Sequence, residues 1–187
     1  MNDIIEKSRQ LMYEQTLKNG NPPLALTDLA VQKGRELAKK YKANEDLVVI
    51  SLYLAHTVFD QERKSEIQKN HPALSAEFDK KYLEQWGVDE KDQKIILNAI
   101  QAHHAKVPIE SLEAEIMKNA ECYKFVTLKG CLIFLHDLGN RQMTFKESVE
   151  YVLYKMNQKL KLLTFDDCKK EAEVNCKKIR ELFNSIK

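Results

Sequence analysis

The segment NEDLVVISLYLAHTVFD, residues 44–60, constrains the fold more than any other part of the chain. It opens on an asparagine suited to cap a helix and then runs apolar on nearly every side, which is how a helix buried at the centre of a bundle reads. The rest of the sequence supplies partners for it. Apolar residues recur at three- and four-residue steps almost throughout, and no stretch sustains the period-two alternation of a half-buried strand. The chain is therefore expected to be an all-α bundle of about seven or eight helices, forming a single domain over 1–187.

NDIIEKSRQLMYEQTLKNG reads as the first helix, stopped by Gly20 and by the prolines that follow. A second helix is expected to start near Thr27, to turn Leu26, Leu29, Ala30, Leu37 and Tyr41 to the core, and to admit a close neighbour at Gly34. The central helix comes next, with His56 closing it, and is followed by the charged linker QERKSEIQKN. HPALSAEFDKKYLEQWG should begin with Pro72 in its first turn and end on Gly87. DEKDQKIILNAIQAHH and IESLEAEIMKNAECYKF are the next helices. FKESVEYVLYKMNQKLKLL, with Val149, Val152, Met156, Leu160 and Leu163 as its stripe, and DDCKKEAEVNCKKIRELFNSI come last.

Charge narrows the function only by exclusion. Thirty basic and 28 acidic side chains nearly cancel, so nothing in the balance calls for nucleic acid or a membrane surface. The four cysteines, Cys122, Cys131, Cys168 and Cys176, show no CxxC spacing, and MNDIIEKSRQ has neither the basic nor the apolar region of a secretion signal. A reducing cytoplasm is the expected location. No apolar run approaches the roughly 20 residues of a membrane span.

The chemistry must come from the histidines and a few carboxylates. The chain has five histidines: His56, His71, His103, His104 and His136. A lone histidine on an apolar face is ordinarily a hydrogen-bonded core residue. Here their order matters more than their number. His56 ends the buried helix, His71 starts the next, His103 and His104 end the one after, and Glu121 lies beyond on a further helix. Helix ends in a bundle can converge on one pocket, and imidazole with carboxylate is a ligand set for Zn, Fe, Mn or Ni.

On these residues the sequence resembles the HD-domain superfamily of metal-dependent phosphohydrolases. LVVISLYLAHTVFD looks like the family's buried helix with its closing His-Asp pair, HPALSAEF like the segment supplying a further histidine, and ILNAIQAHH like the helix that ends in another. NAECYKF is similar to the late helix carrying an Ala-Asp pair. The resemblance spans about 24–127, and 145–187 is similar to the closing helices of a bacterial branch of small HD hydrolases. It implies a metal site of His56, His71, His103 and Glu121, with His104 or Asp60 to position or deprotonate water. It also implies a small phosphorylated substrate, for which Arg63, Lys64 and Lys106 are candidate cations, although a solvated linker is their simpler role.

The departures all fall on the metal site. Leu26 or a near neighbour stands where the family has its first histidine, Thr57 replaces the bridging aspartate after His56, and the late pair is Ala120-Glu121. Asp60, a turn after His56, is the carboxylate that could compensate. Together these imply a divalent metal bound weakly or not at all. The alternative is a catalytically silent module that keeps the pocket, lined by His56, Thr57, His103 and Tyr123, for a small anion or a protein partner. His136-Asp137 in CLIFLHDLGN imitates the family signature, but no histidine follows it, so it reads as an ordinary helix end.

Overall fold

The computed structural model describes residues 1–20, 22–60, 65–104 and 106–185. They form one all-α arrangement with no strand among the described residues. The helices are α1 (Asn2–Asn19), α2 (Leu24–Tyr41), α3 (Glu45–Leu54), α4 (Glu66–Gln85), α5 (Glu90–Ala102), α6 (Leu112–Tyr123), α7 (Leu128–Asn140), α8 (Phe145–Leu160) and α9 (Asp166–Ser185). That is nine α-helices among the described residues rather than seven or eight. The chain breaks after α6 into a 3-10 turn, Lys124–Val126, and Thr127 then caps a new helix by accepting from the Gly130 N–H. No described helix is long and apolar enough to cross a membrane.

α3 sits at the centre. Every residue from Leu47 to Leu54 is buried, and the helix packs against α1, α2, α5 and α6. Asn44 caps it by accepting from the N–H groups of Asp46 and Leu47, which meets the orphan donors of its first turn. The closest approach is at Gly34 of α2, where a Cβ would lie 2.5 Å from the Leu52 Cδ1 and 3.1 Å from the Val48 Cγ1. Only glycine lets α2 lie this near α3. α4 lies along α5, while α7, α8 and α9 cover the end of α6 and the 3-10 turn.

Three boundaries differ from the sequence reading, and each matters for the histidines. α2 begins at Leu24, directly after Pro23, so the two prolines start the helix instead of spacing it. α3 ends at Leu54, which places His56 in the turn beyond the helix rather than on it. α4 begins at Glu66, capped by Ser65, so His71 and Pro72 lie inside the helix rather than at its start.

Candidate metal centre

Pro72 explains the orientation of His71. A proline inside a helix offers no N–H to the carbonyl four residues back, which here is that of Gln68. The His71 Nδ1 lies 2.8 Å from that oxygen and donates to it. His103 uses the same device at the other end of α5. It follows the last helical residue, and its Nδ1 lies 2.6 Å from the carbonyl of Ile100, one of the last-turn carbonyls that have no helical donor ahead of them. Each ring therefore carries its proton on Nδ1 and turns a bare Nε2 inward. The two Nε2 atoms face each other at 3.2 Å.

His56 completes the group. Its ring stacks on that of His71 with centroids 4.9 Å apart and lies 5.3 Å from that of His103. One ring nitrogen from each of His56, His71 and His103 falls within 4.8 Å of the other two. His104 packs edge-on against His71 at 4.7 Å and against His103 at 4.4 Å, and Phe59 closes the other side of His71 at 4.8 Å. Burial drives all four imidazoles toward the neutral form, with the nearby charges of Lys124, Lys159 and the other imidazoles adding to it. The His71 ring is pushed down to about 2 and that of His103 to about 4, while His56 and His104 also lie far below the usual histidine range.

Two neutral rings with lone pairs 3.2 Å apart have no hydrogen between them, so the arrangement calls for a cation. Two nitrogens of a tetrahedral zinc site, each about 2.0–2.1 Å from the ion, are roughly 3.3 Å apart. The second ring nitrogen bonded to a backbone carbonyl is also what orients metal-binding histidines. The residues present thus fit a divalent ion, and the three-histidine cluster can hold one.

Glu121 lies beside this group but is not one of its members. Its Oε2 is 3.9 Å from the His56 Nε2. The buried ammonium of Lys124, in the turn after α6, lies 2.8 Å from each carboxylate oxygen. Burial opposes the charge on Glu121, but Lys124 and His103 outweigh it and hold the carboxyl below its ordinary range. Two lysines from α8 complete the surroundings. Lys159 is 4 % exposed, and its field acts on His71, His103, His104 and Lys124. Lys155 is pushed down to about 8 by burial and by those two ammonium groups. The Nζ atoms of Lys124 and Lys159 lie 5.3 and 5.7 Å from the centroid of Phe125.

The remaining candidates lie apart from the histidine nitrogens. The Thr57 hydroxyl is 2.8 Å from a carboxylate oxygen of Asp79 on α4, so it faces that helix rather than the metal seat. Tyr123 is engaged with α2 and α9. Its ring lies under the Lys33 ammonium, 4.1 Å from the centroid, and its hydroxyl is hydrogen-bonded to Glu171 of α9. Asp60 accepts from the hydroxyl of Ser65, the cap of α4, at 2.8 Å. Leu26 is a buried core residue of α2. Lys106 donates to the carbonyl of Lys69 on the surface, and Arg63 and Lys64 lie outside the described residues. His136 is exposed near the end of α7, bonded to Asn140, and Asp137 pairs with Arg141. A surface depression of about 510 Å³ is lined by Lys40, Tyr41, Phe165 and Asp167, among others, and includes none of the histidines.

Sequence reading missed Lys124, Lys155 and Lys159. A signal for one of them was present, because Lys159 falls on the apolar stripe of α8 between Met156 and Leu163, where a solvated lysine would not.

No protein-family profile and no curated protein matches the sequence. Solved structures do. A crystal structure of a Lactobacillus plantarum protein shares the fold with a TM-score of 0.71 and 17 % identity, over 98 % of this chain and 92 % of that one. YpgQ of Bacillus subtilis, solved in complex with ADP, gives a TM-score of 0.70 at 10 % identity, over 98 % and 94 % of the two chains.

Proposed function

We propose that this chain is a metal-dependent phosphohydrolase of the HD type, acting on a nucleotide or similar small phosphate ester. The observation that carries the reading is the pair of inward Nε2 atoms of His71 and His103, held 3.2 Å apart by bonds from their Nδ1 atoms to backbone carbonyls. That pair, with His56, makes a three-nitrogen seat for Zn, Fe, Mn or Ni. A divalent ion in it would supply positive charge to a phosphoryl oxygen and make water more acidic.

The protein's own groups account for the choice of ligand. Three neutral imidazoles bring no negative charge, and Glu121 is already neutralised by Lys124. With Lys155 and Lys159 nearby, the seat is short of negative charge, which a phosphate group supplies. The two α8 lysines hold that phosphate. His104, neutral and against both His71 and His103, positions the water by accepting a hydrogen bond from it, because Asp60 is committed to Ser65. The ADP held by the similarly folded B. subtilis protein supports a phosphorylated ligand.

A second reading, a module that binds such a ligand without turning it over, is favoured by two specific observations. The carboxylate nearest the histidines is paired with lysine, and the position after His56 is a threonine bonded to Asp79. Metal content, ADP affinity by calorimetry and phosphate release from nucleotides with added Mn²⁺ or Zn²⁺ separate the two. Turnover that requires metal and disappears in His56→Ala and His103→Ala supports the hydrolase. ADP binding without turnover supports the module, and neither metal nor ADP binding refutes both.

A further inference from the structure

Lys124 is the least expected residue of the centre. Both it and Glu121 are 1 % exposed, and one ammonium lies 2.8 Å from both oxygens of one carboxylate. The backbone holds Lys124 where it is. Its carbonyl oxygen accepts from the Thr127 hydroxyl, and it presses so close on Gly130 that a Cβ there would lie 1.7 Å from that oxygen. No other residue could occupy position 130 without moving the turn. Glu121 meanwhile reaches to 3.9 Å from His56, on the edge of the three-nitrogen seat.

A carboxylate whose two oxygens share one ammonium is a weaker donor to a metal, because its charge is already compensated and its position is fixed by that partner. An ammonium so placed also repels a divalent ion across a poorly screened interior. We propose that Lys124 is a tethered cation that withdraws Glu121 from the donor set and thereby sets how tightly the histidine centre holds a divalent metal. The native centre is then a three-histidine site with one carboxylate in reserve. The inference rests on the reading of the histidines as a metal seat, and its test is arranged so that the two can fail separately.

The probe is Zn²⁺ alone, in competition with a chelator, with Co²⁺ as a spectroscopic stand-in. Lys124→Met keeps the length of the side chain and removes the charge. It is expected to raise metal affinity by about tenfold or more and to shift the Co²⁺ absorption as an oxygen donor joins three nitrogens. Glu121→Gln should lower the affinity of the native chain, because it leaves the Lys124 ammonium unneutralised, and should cancel the gain when combined with Lys124→Met. If Lys124→Met unfolds without metal, recovery of its helical circular dichroism on adding Zn²⁺ supports the inference, and no recovery overturns it. Affinity in Lys124→Met equal to or below that of the unaltered protein overturns it as well. Failure of the unaltered protein to bind any metal counts against the proposed hydrolase. If Lys124→Met then binds where the native chain does not, the role of Lys124 stands.

Discussion

The burial of four neutral histidines in one cluster makes acid the sharpest probe of this fold. In the unfolded chain each titrates near 6.5, whereas in the fold His71 stays neutral down to about 2 and His103 to about 4, with His56 and His104 also depressed. The folded values lie below the unfolded ones, so the unfolded state binds more protons as pH falls. The stability these groups contribute is therefore complete above about pH 6.5 and lost below it. Each such histidine loses about 1.4 kcal/mol per pH unit below that point. The result is insensitive to the folded values as long as they stay below the pH of measurement. With all four rings neutral in the fold, unfolding takes up four protons. At about pH 5.5 the loss is then about 4–6 kcal/mol, against a total of about 5–15 kcal/mol for a typical domain. Urea unfolding followed by circular dichroism, in chelator, between about pH 7.5 and 5.5 measures it directly. His104→Gln should lower the slope by about one proton. An unfolding free energy that changes by less than about 1 kcal/mol over this range would refute the buried neutral cluster.

Three further outcomes follow from particular contacts. Pro72→Ala restores an N–H that competes with His71 for the Gln68 carbonyl, so metal affinity should fall by about 10–100-fold with the helical content retained, as equilibrium dialysis would register. Gly34→Ala brings a Cβ to 2.5 Å from Leu52 and should destabilise by about 1–2 kcal/mol, since overpacking exceeds the gain in helix propensity. A melting temperature equal to or above that of the parent would contradict it. Burial raises the Asp79 carboxyl well above its ordinary range, despite the Thr57 hydroxyl, so the neutral acid is the folded form and stability declines as pH climbs from about 4 toward the folded value. Asp79→Asn should accordingly be more stable than the parent near about pH 8, by on the order of 1–3 kcal/mol, with little difference near about pH 4. A variant less stable at both values would show that Asp79 is held as a carboxylate.

How much of this was legible in the sequence depends on the range of the forces involved. Local rules determine the all-α class, the Asn44 cap, the stop at Gly20 and the burial of α3, because helical periodicity and capping act over a few residues and are written into neighbouring positions. The order of His56, His71, His103 and Glu121 along the chain was enough to suggest that they meet, and the structure brings them side by side. What these residues do on meeting was decided by tertiary structure alone. The same α6 sequence presents Glu121 to the histidines and Tyr123 to Lys33 and Glu171, a difference set by which helices surround it. Lys124 looks like an ordinary surface lysine until α7 and α8 close over it and leave Glu121 as its partner. Solvent exclusion is the physical reason. It ties a common lysine to one carboxylate and keeps ordinary histidines neutral, and it depends on neighbours that are remote in sequence.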